Sequence, residues 1–204
     1  MANMKDVAER AGVSTATVSH VINETRFVAE ETRNEVLKAM KELKYYPNSA
    51  ARILRKKESK IIGLVVPDIS NFFFTGLARK IETVIKKKGY NIILGNSDEK
   101  IENEVEQIKI MNSYLIDGLI MAPARGDQSY LDEDFLADNN FPIVFIDRMP
   151  KGYHGDCVLV DNEHASYKAV NYLIQQGHRR IGIITGLPEL TTTEERLIGY
   201  KKAF

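Results

Sequence analysis

The 204-residue chain holds a single cysteine, Cys157, and no histidine or cysteine spacing that suits a metal. A lone cysteine in an apolar run excludes a disulfide framework and points to a reducing compartment, with the side chain expected to act as a small buried hydrophobe. No apolar run approaches the length of a membrane span, and the first residues show no apolar core with a cleavage site, so a soluble cytoplasmic protein with no membrane partner is expected. Also missing are a Gly-x-Gly-x-x-Gly after the first apolar run, a Gly-Lys-Ser/Thr phosphate loop and a Gly-x-Ser-x-Gly elbow. The four histidines, His20, His154, His164 and His178, have no partner constellation. An enzyme is therefore not expected, and no cofactor is called for.

Net charge is absent too, with 28 basic and 28 acidic residues, but the balance conceals an asymmetry. Residues 1–60 hold 12 Lys and Arg against 8 Asp and Glu, leaving 16 against 20 in the remainder. Between Lys44 and Lys60 six basic residues face one acidic one, Glu58, so this stretch is either a phosphate-binding connector or a solvated linker.

The basic end carries the most informative pattern. Asn3 suits the cap of a first helix, and Asp6 three residues on can complete a capping box. Val7, Ala8 and Ala11 supply a buried face. Gly12 enters a left-handed conformation at no steric cost, and Ser14 recaps the chain at once. In the second helix Val18, Val21 and Ile22 point inward and leave Thr15, Ala16, Ser19 and His20 outward. This is a helix-turn-helix, whose second helix can lie in a major groove with its first residues against base edges. Taken alone the pattern also fits an ordinary αα-hairpin. A third helix is expected over 30–43, with Val36, Leu37, Met40 and Leu43 as its inner stripe.

The wording Val18-Ser19-His20-Val21-Ile22-Asn23, then Arg26-Phe27-Val28, Thr32-Arg33, Tyr45-Tyr46-Pro47-Asn48 and Ala51-Arg52-Ile53-Leu54, resembles the DNA-binding headpiece of the lactose/galactose repressor (LacI/GalR) family, nearest to its purine and ribose repressor branches. The resemblance implies a transcriptional repressor that binds a near-palindromic operator DNA as a homodimer under the control of a small-molecule effector. It implies DNA contacts from Lys5, Ser14, Thr15, Ala16, Thr17, Ser19, His20, Asn23, Arg26, Arg33, Tyr45, Asn48, Leu54 and Arg55. Thr15, Ala16 and His20 are expected to choose bases, and Lys5, Arg33 and Lys44 to hold phosphates. A short hinge helix is expected over 50–55, capped by Asn48 or Ser49, with Leu54 matching the family's minor-groove wedge. Leu54 packed on the headpiece is the bland alternative, and Ile53 is bulkier than the small residue the hinge pattern leads one to expect.

From Lys60 onward apolar runs alternate with helical patterns. Strands are expected at 61–66, 90–95, 118–122, 142–148, 158–161 and 180–186, and helices at 72–88, 101–114, 131–139 and 163–176. This is βαβ repetition, hence a doubly wound parallel sheet of periplasmic-binding-protein type behind the α headpiece. The expected organisation is a headpiece at 1–46, a hinge at 47–59, a first lobe at 60–161, and at 162–204 the start of a second lobe, incomplete because the sequence stops inside a helix.

Ligands of such sheets bind beyond the carboxyl ends of the strands. Phe72 and Phe73 follow the first strand there and can stack on a ring, though they equally suit the start of a core helix. Asp147 and Arg148 pair an acceptor with a forked donor for vicinal hydroxyls, and the pair resembles the Asp-Arg of ribose-binding proteins. Either residue could instead pair with neighbours at the strand end. Arg196 matches the family's effector-binding arginine, or is a solvated helix residue. By the resemblance a purine would call for an aromatic where Arg148 stands, so a sugar such as ribose is the expected effector. A sugar-transport protein and a flavodoxin-like enzyme are the competing readings, the first opposed by the headpiece and the second by the missing phosphate motifs.

Overall fold

The computed structural model describes residues 2–46, 58–125, 141–150 and 153–204. The expected hinge helix with Asn48, Leu54 and Arg55, and the expected helix at 131–139, lie outside them. The chain divides into two compact units, Met1–Lys57 and Glu58–Phe204.

The first unit is helical: α1 (Met4–Arg10), α2 (Thr15–Asn23) and α3 (Glu30–Glu42). Local chemistry sets its boundaries. The Asn3 side chain accepts from the Lys5 and Asp6 amides at 2.8 and 3.3 Å, while Asp6 accepts from the Asn3 amide at 2.8 Å, completing the capping box. Gly12 has φ +66, and Ser14 caps α2 by accepting from the Thr17 amide at 3.1 Å. Val7, Ala8, Val18, Val21, Val36 and Ala39 form the core, closed over by Ile22, Val28, Met40, Leu43 and Tyr45. Leu37 is a correction: it is 46% exposed and Ala39 is buried instead. The residue after Val36 lies about 100° round the helix, so the stripe follows Val36, Ala39, Met40 and Leu43.

Among the described residues the second unit is built on a five-stranded all-parallel sheet, ordered β2-β1-β3-β4-β5. Its strands are β1 (Ile61–Val66), β2 (Asn91–Asn96), β3 (Gly118–Met121), β4 (Ile143–Ile146) and β5 (Cys157–Val158). Its helices are α4 (Phe72–Lys86), α5 (Ile101–Ser113), α6 (Asn162–Gln175) and α7 (Thr191–Lys202). The continuous apolar run of β1 is buried on both faces. Val65 points into a core with Ile108, Met111, Leu119, Met121 and Phe145, while Leu64 and Val66 point into another with Phe74, Ala122 and Ile146. The sheet approaches α5 so closely that a Cβ on Gly63 would lie 2.7 Å from Met111 Sδ. Asp117 ties down the entry to β1, accepting from the Ser59 and Lys60 amides at 2.7 and 2.9 Å.

Two further expectations are corrected. Cys157 is exposed, because β5 is a two-residue edge strand whose neighbours Val158, Leu159 and Val160 are also open to solvent. Residues 180–186 make no strand pairing among the described residues, and Ile184 is fully exposed. A parallel strand needs ladder partners, and the segment has none among the described residues. It is held instead by single bonds such as Tyr200 Oη donating to the Ile181 carbonyl at 2.7 Å. The chain then returns through α7 onto α6, where Gly199 lies so near the Glu163 carbonyl that any side chain would collide with it.

Candidate nucleic-acid interface and ligand cavity

On the headpiece, α2 presents Thr15 and Ala16 to solvent and leaves His20 half-exposed. His20 Nδ1 is 2.8 Å from Thr25 Oγ1. Several other candidates are engaged within the helix. Ser14 Oγ and Thr17 Oγ1 are 2.9 Å apart, and Asn23 Nδ2 donates to the Ser19 carbonyl at 2.8 Å. Their hydroxyl and amide groups therefore shape α2 as well as offering groups to a phosphate. Lys5, Arg26 and Lys44 are exposed cations. Arg33 is exposed too, but its Nη2 is paired with Glu24 Oε1 at 2.5 Å, so the bland reading of an ion-paired surface arginine has direct support. Tyr45 is half-buried against the helical core.

In the second unit a cavity of about 300 Å³ opens beyond the carboxyl ends of β1 and β4. Phe73 and Phe74 line it from the start of α4, Asp147 and Arg148 from the end of β4, and Thr192, Thr193 and Arg196 from α7. Four of the five sequence candidates thus converge. Phe72 does not line this cavity and is 92% exposed, because it occupies the first position of α4, whereas Phe74 turns inward and is 3% exposed. Phe73 and Phe74 meet edge to face at 5.1 Å.

Asp147 sits at φ +64, and the Arg148 amide reaches back to the Ile146 carbonyl at 2.6 Å, a tight turn that swings both side chains off the strand end. Arg148 is nearly buried. Its Nη1 and Nη2 donate to Glu99 at 2.8 and 2.9 Å, and Nη1 also donates to the Pro123 carbonyl at 3.1 Å. The fork expected to grip a ligand is thus spent on Glu99. What remains is Arg148 Nε, buried and without a hydrogen-bond partner, 3.6 Å from Asp147 Oδ2. Burial pushes the Asp147 carboxyl above its ordinary value of 3.8, against the pull of Arg148 and Arg196. Arg196 is aimed by Asn162, whose Oδ1 accepts from its Nε at 2.9 Å and whose Nδ2 donates to Glu195 at 3.0 Å.

Sequence reasoning missed Glu99, Asn162, Thr192 and Thr193. Glu99 has a detectable signal only in hindsight: Asp98 and Glu99 both adopt left-handed backbone at the end of β2, where sheet topology places ligand groups. Among the described residues no cluster of His, Cys, Asp and Glu could hold a metal ion, and no helix is long and apolar enough to cross a membrane.

A capped helix-turn-helix joined in one chain to a parallel α/β unit, with a polar cavity at its strand ends, defines a headpiece fused to a periplasmic-binding-protein-like domain. Residues 3–48 match the family of bacterial regulatory proteins, lacI family, and residues 59–204 match the periplasmic binding proteins and sugar binding domain of the LacI family. The chain belongs to the LacI family. It is 40% identical over 199 residues to the ribose operon repressor of Bacillus subtilis (strain 168), covering 98% of this chain and 59% of that protein. It is also 40% identical over 206 residues to the transcriptional repressor PurR of Shigella sonnei (strain Ss046), covering 100% of this chain and 60% of that one. Among solved structures, a lac repressor dimer bound to operator and the anti-inducer ONPF superposes with a TM-score of 0.85 at 26% identity, over 99% of this chain and 61% of that one. The chain thus spans about three fifths of the length of these relatives.

Proposed function

We propose that this chain carries the operator-reading and first effector-binding parts of a transcriptional repressor, not an enzyme, acting as a homodimer on a near-palindromic operator in the cytoplasm. Its organisation on this reading is a headpiece at 1–46, a hinge at 47–59, a first lobe at 60–161 and the start of a second lobe at 162–204. The observation that carries the reading is α2 itself: it is capped at Ser14, buried through Val18 and Val21, and leaves Thr15, Ala16 and His20 outward, with exposed cations on the same small unit. One such helix reads too few base pairs to be specific, so a two-fold pair is required. The operator-bound dimer among the similar structures supports the same arrangement.

Selection from a randomised duplex library tests this. A palindromic pattern should be enriched, His20→Ala should weaken the selected site by about 1–3 kcal/mol, and Lys5→Ala should weaken all duplexes alike. No enriched sequence would overturn the reading.

For the effector, a sugar such as ribose is favoured over a purine. Around one aromatic wall the cavity sets the carboxylate of Asp147, Arg196 and the Thr192 and Thr193 hydroxyls, a set suited to many small hydroxyls. Arg148 and Arg196 are balanced by Glu99 and Asp147, which suits a neutral ligand. Titration calorimetry with ribose, hexoses and purines on a longer form that completes the second lobe should give heat with a sugar, and Asp147→Ala should abolish it. Heat from a purine alone would replace the sugar reading.

A further inference from the structure

We propose that Thr25, which belongs to neither helix of the helix-turn-helix, is the positioning residue that sets the direction of the His20 ring for base readout, with Nε2 the nitrogen left for DNA. The inference rests on the DNA-reading role of α2 proposed above.

The geometry begins where α2 ends. Glu24 follows Asn23 in left-handed backbone, φ 51 and ψ 35, and that single residue turns the chain back along the helix it has just left. Thr25 Oγ1 thereby comes to 2.8 Å from Nδ1 of His20, five residues earlier. The turn is braced, because Glu24 Oε1 accepts from Arg33 Nη2 at 2.5 Å and so ties it to α3. The hydroxyl is therefore presented by an anchored corner.

An outward histidine has two free side-chain torsions and two nitrogens, so by itself it has neither a fixed direction nor a fixed donor pattern. The Thr25 bond restricts the direction: with Nδ1 occupied, Nε2 is the ring nitrogen left for DNA. A threonine hydroxyl can donate to Nδ1 or accept from it, so the bond holds in every protonation form of the ring. A ring held in one direction brings Nε2 to one base edge of the half-site, so its discrimination falls at one position. Thr25 itself contacts no base in this scheme.

Two measurements on the 204-residue chain test the proposal separately. Three-bond NMR couplings across the His20 Cα–Cβ bond should show one side-chain rotamer in the unaltered chain and in Thr25→Ser, and averaging over rotamers in Thr25→Val. Averaged couplings in the unaltered chain would overturn the clamp. In duplex selection, the unaltered chain and Thr25→Ser should enrich one base at one position of each half-site. Thr25→Val should lose about tenfold in discrimination there while binding random duplex as before. It should add nothing in a His20→Ala background. Equal loss on all sequences, or additive losses in the double variant, would show that Thr25 acts only on the fold and would overturn the proposal. If the unaltered chain enriches no sequence, the base-reading role falls with the proposed function, and the rotamer couplings alone report on the clamp.

Discussion

The headpiece and the α/β unit are stabilised in different ways. Among the described residues no fully buried side chain of the headpiece core is larger than valine, whereas the α/β unit buries Phe145, Leu64, Ile108, Met111, Leu119 and Met121 almost completely. A small helical unit therefore leans on bonds between residues three or four apart: Asn3 with Asp6, Ser14 with Thr17, Asn23 with Ser19. The α/β unit leans on groups far apart in the chain, such as Arg148 with Glu99 and Asp117 with Ser59. The contrast teaches that a surface cap matters in the first unit as a buried pair matters in the second.

The sharpest way to break that comparison is Glu99→Ala. Removing it strands a nearly buried guanidinium, and because Glu99 is itself partly exposed the expected cost lies near the low end for broken buried pairs, about 3 kcal/mol. Urea unfolding followed by segment-resolved hydrogen exchange should place the loss in residues 58–204 with headpiece protection unchanged. Comparable loss in the headpiece would mean that the two units do not unfold independently.

Asn3→Ala should act in the opposite place and cost about 1 kcal/mol, since it removes the side-chain acceptor of the Lys5 and Asp6 amides while leaving the backbone amide that Asp6 accepts from. The same exchange experiment should show earlier opening of α1 and no change in β1. If α1 keeps its protection, burial of Val7 and Ala8 outweighs the cap.

The smallest effect concerns Asp147. Its carboxyl is raised above 3.8 chiefly by burial, so the folded chain takes up this proton before the unfolded chain does. Stability then falls as pH rises from 3.8 through the folded-state value, and the penalty persists at neutral pH. Asp147→Asn should therefore raise the melting temperature of the α/β unit modestly at pH 7, with the gain vanishing below pH 3.8. A gain that grows on acidification would reverse the sign.

Legibility in the sequence follows the same division. Asn3, Asp6, Gly12 and Ser14 act through neighbours a few residues away, so the helix-turn-helix could be read directly. The runs at 61–66 and 143–146 were legible because a strand buried on both faces must be apolar throughout. The run at 180–186 looks the same but pairs with nothing among the described residues, because apolarity states a preference and not the presence of a partner. Phe72, Phe73 and Phe74 are chemically identical. Only their angular positions on α4 separate an exposed ring from two that line the cavity.

What the sequence determined by itself is local: the caps and turns at Asn3, Gly12 and Ser14 and the apolar runs of the buried strands, set by sterics, hydrogen bonds and burial over a few residues. The tertiary structure alone decided that the fork of Arg148 is spent on Glu99 while its Nε is buried beside Asp147, that Arg196 is aimed by Asn162, and that Thr25 faces His20. Such pairings depend on where a left-handed residue or a strand end points its neighbour in space, and residue type carries no record of that direction.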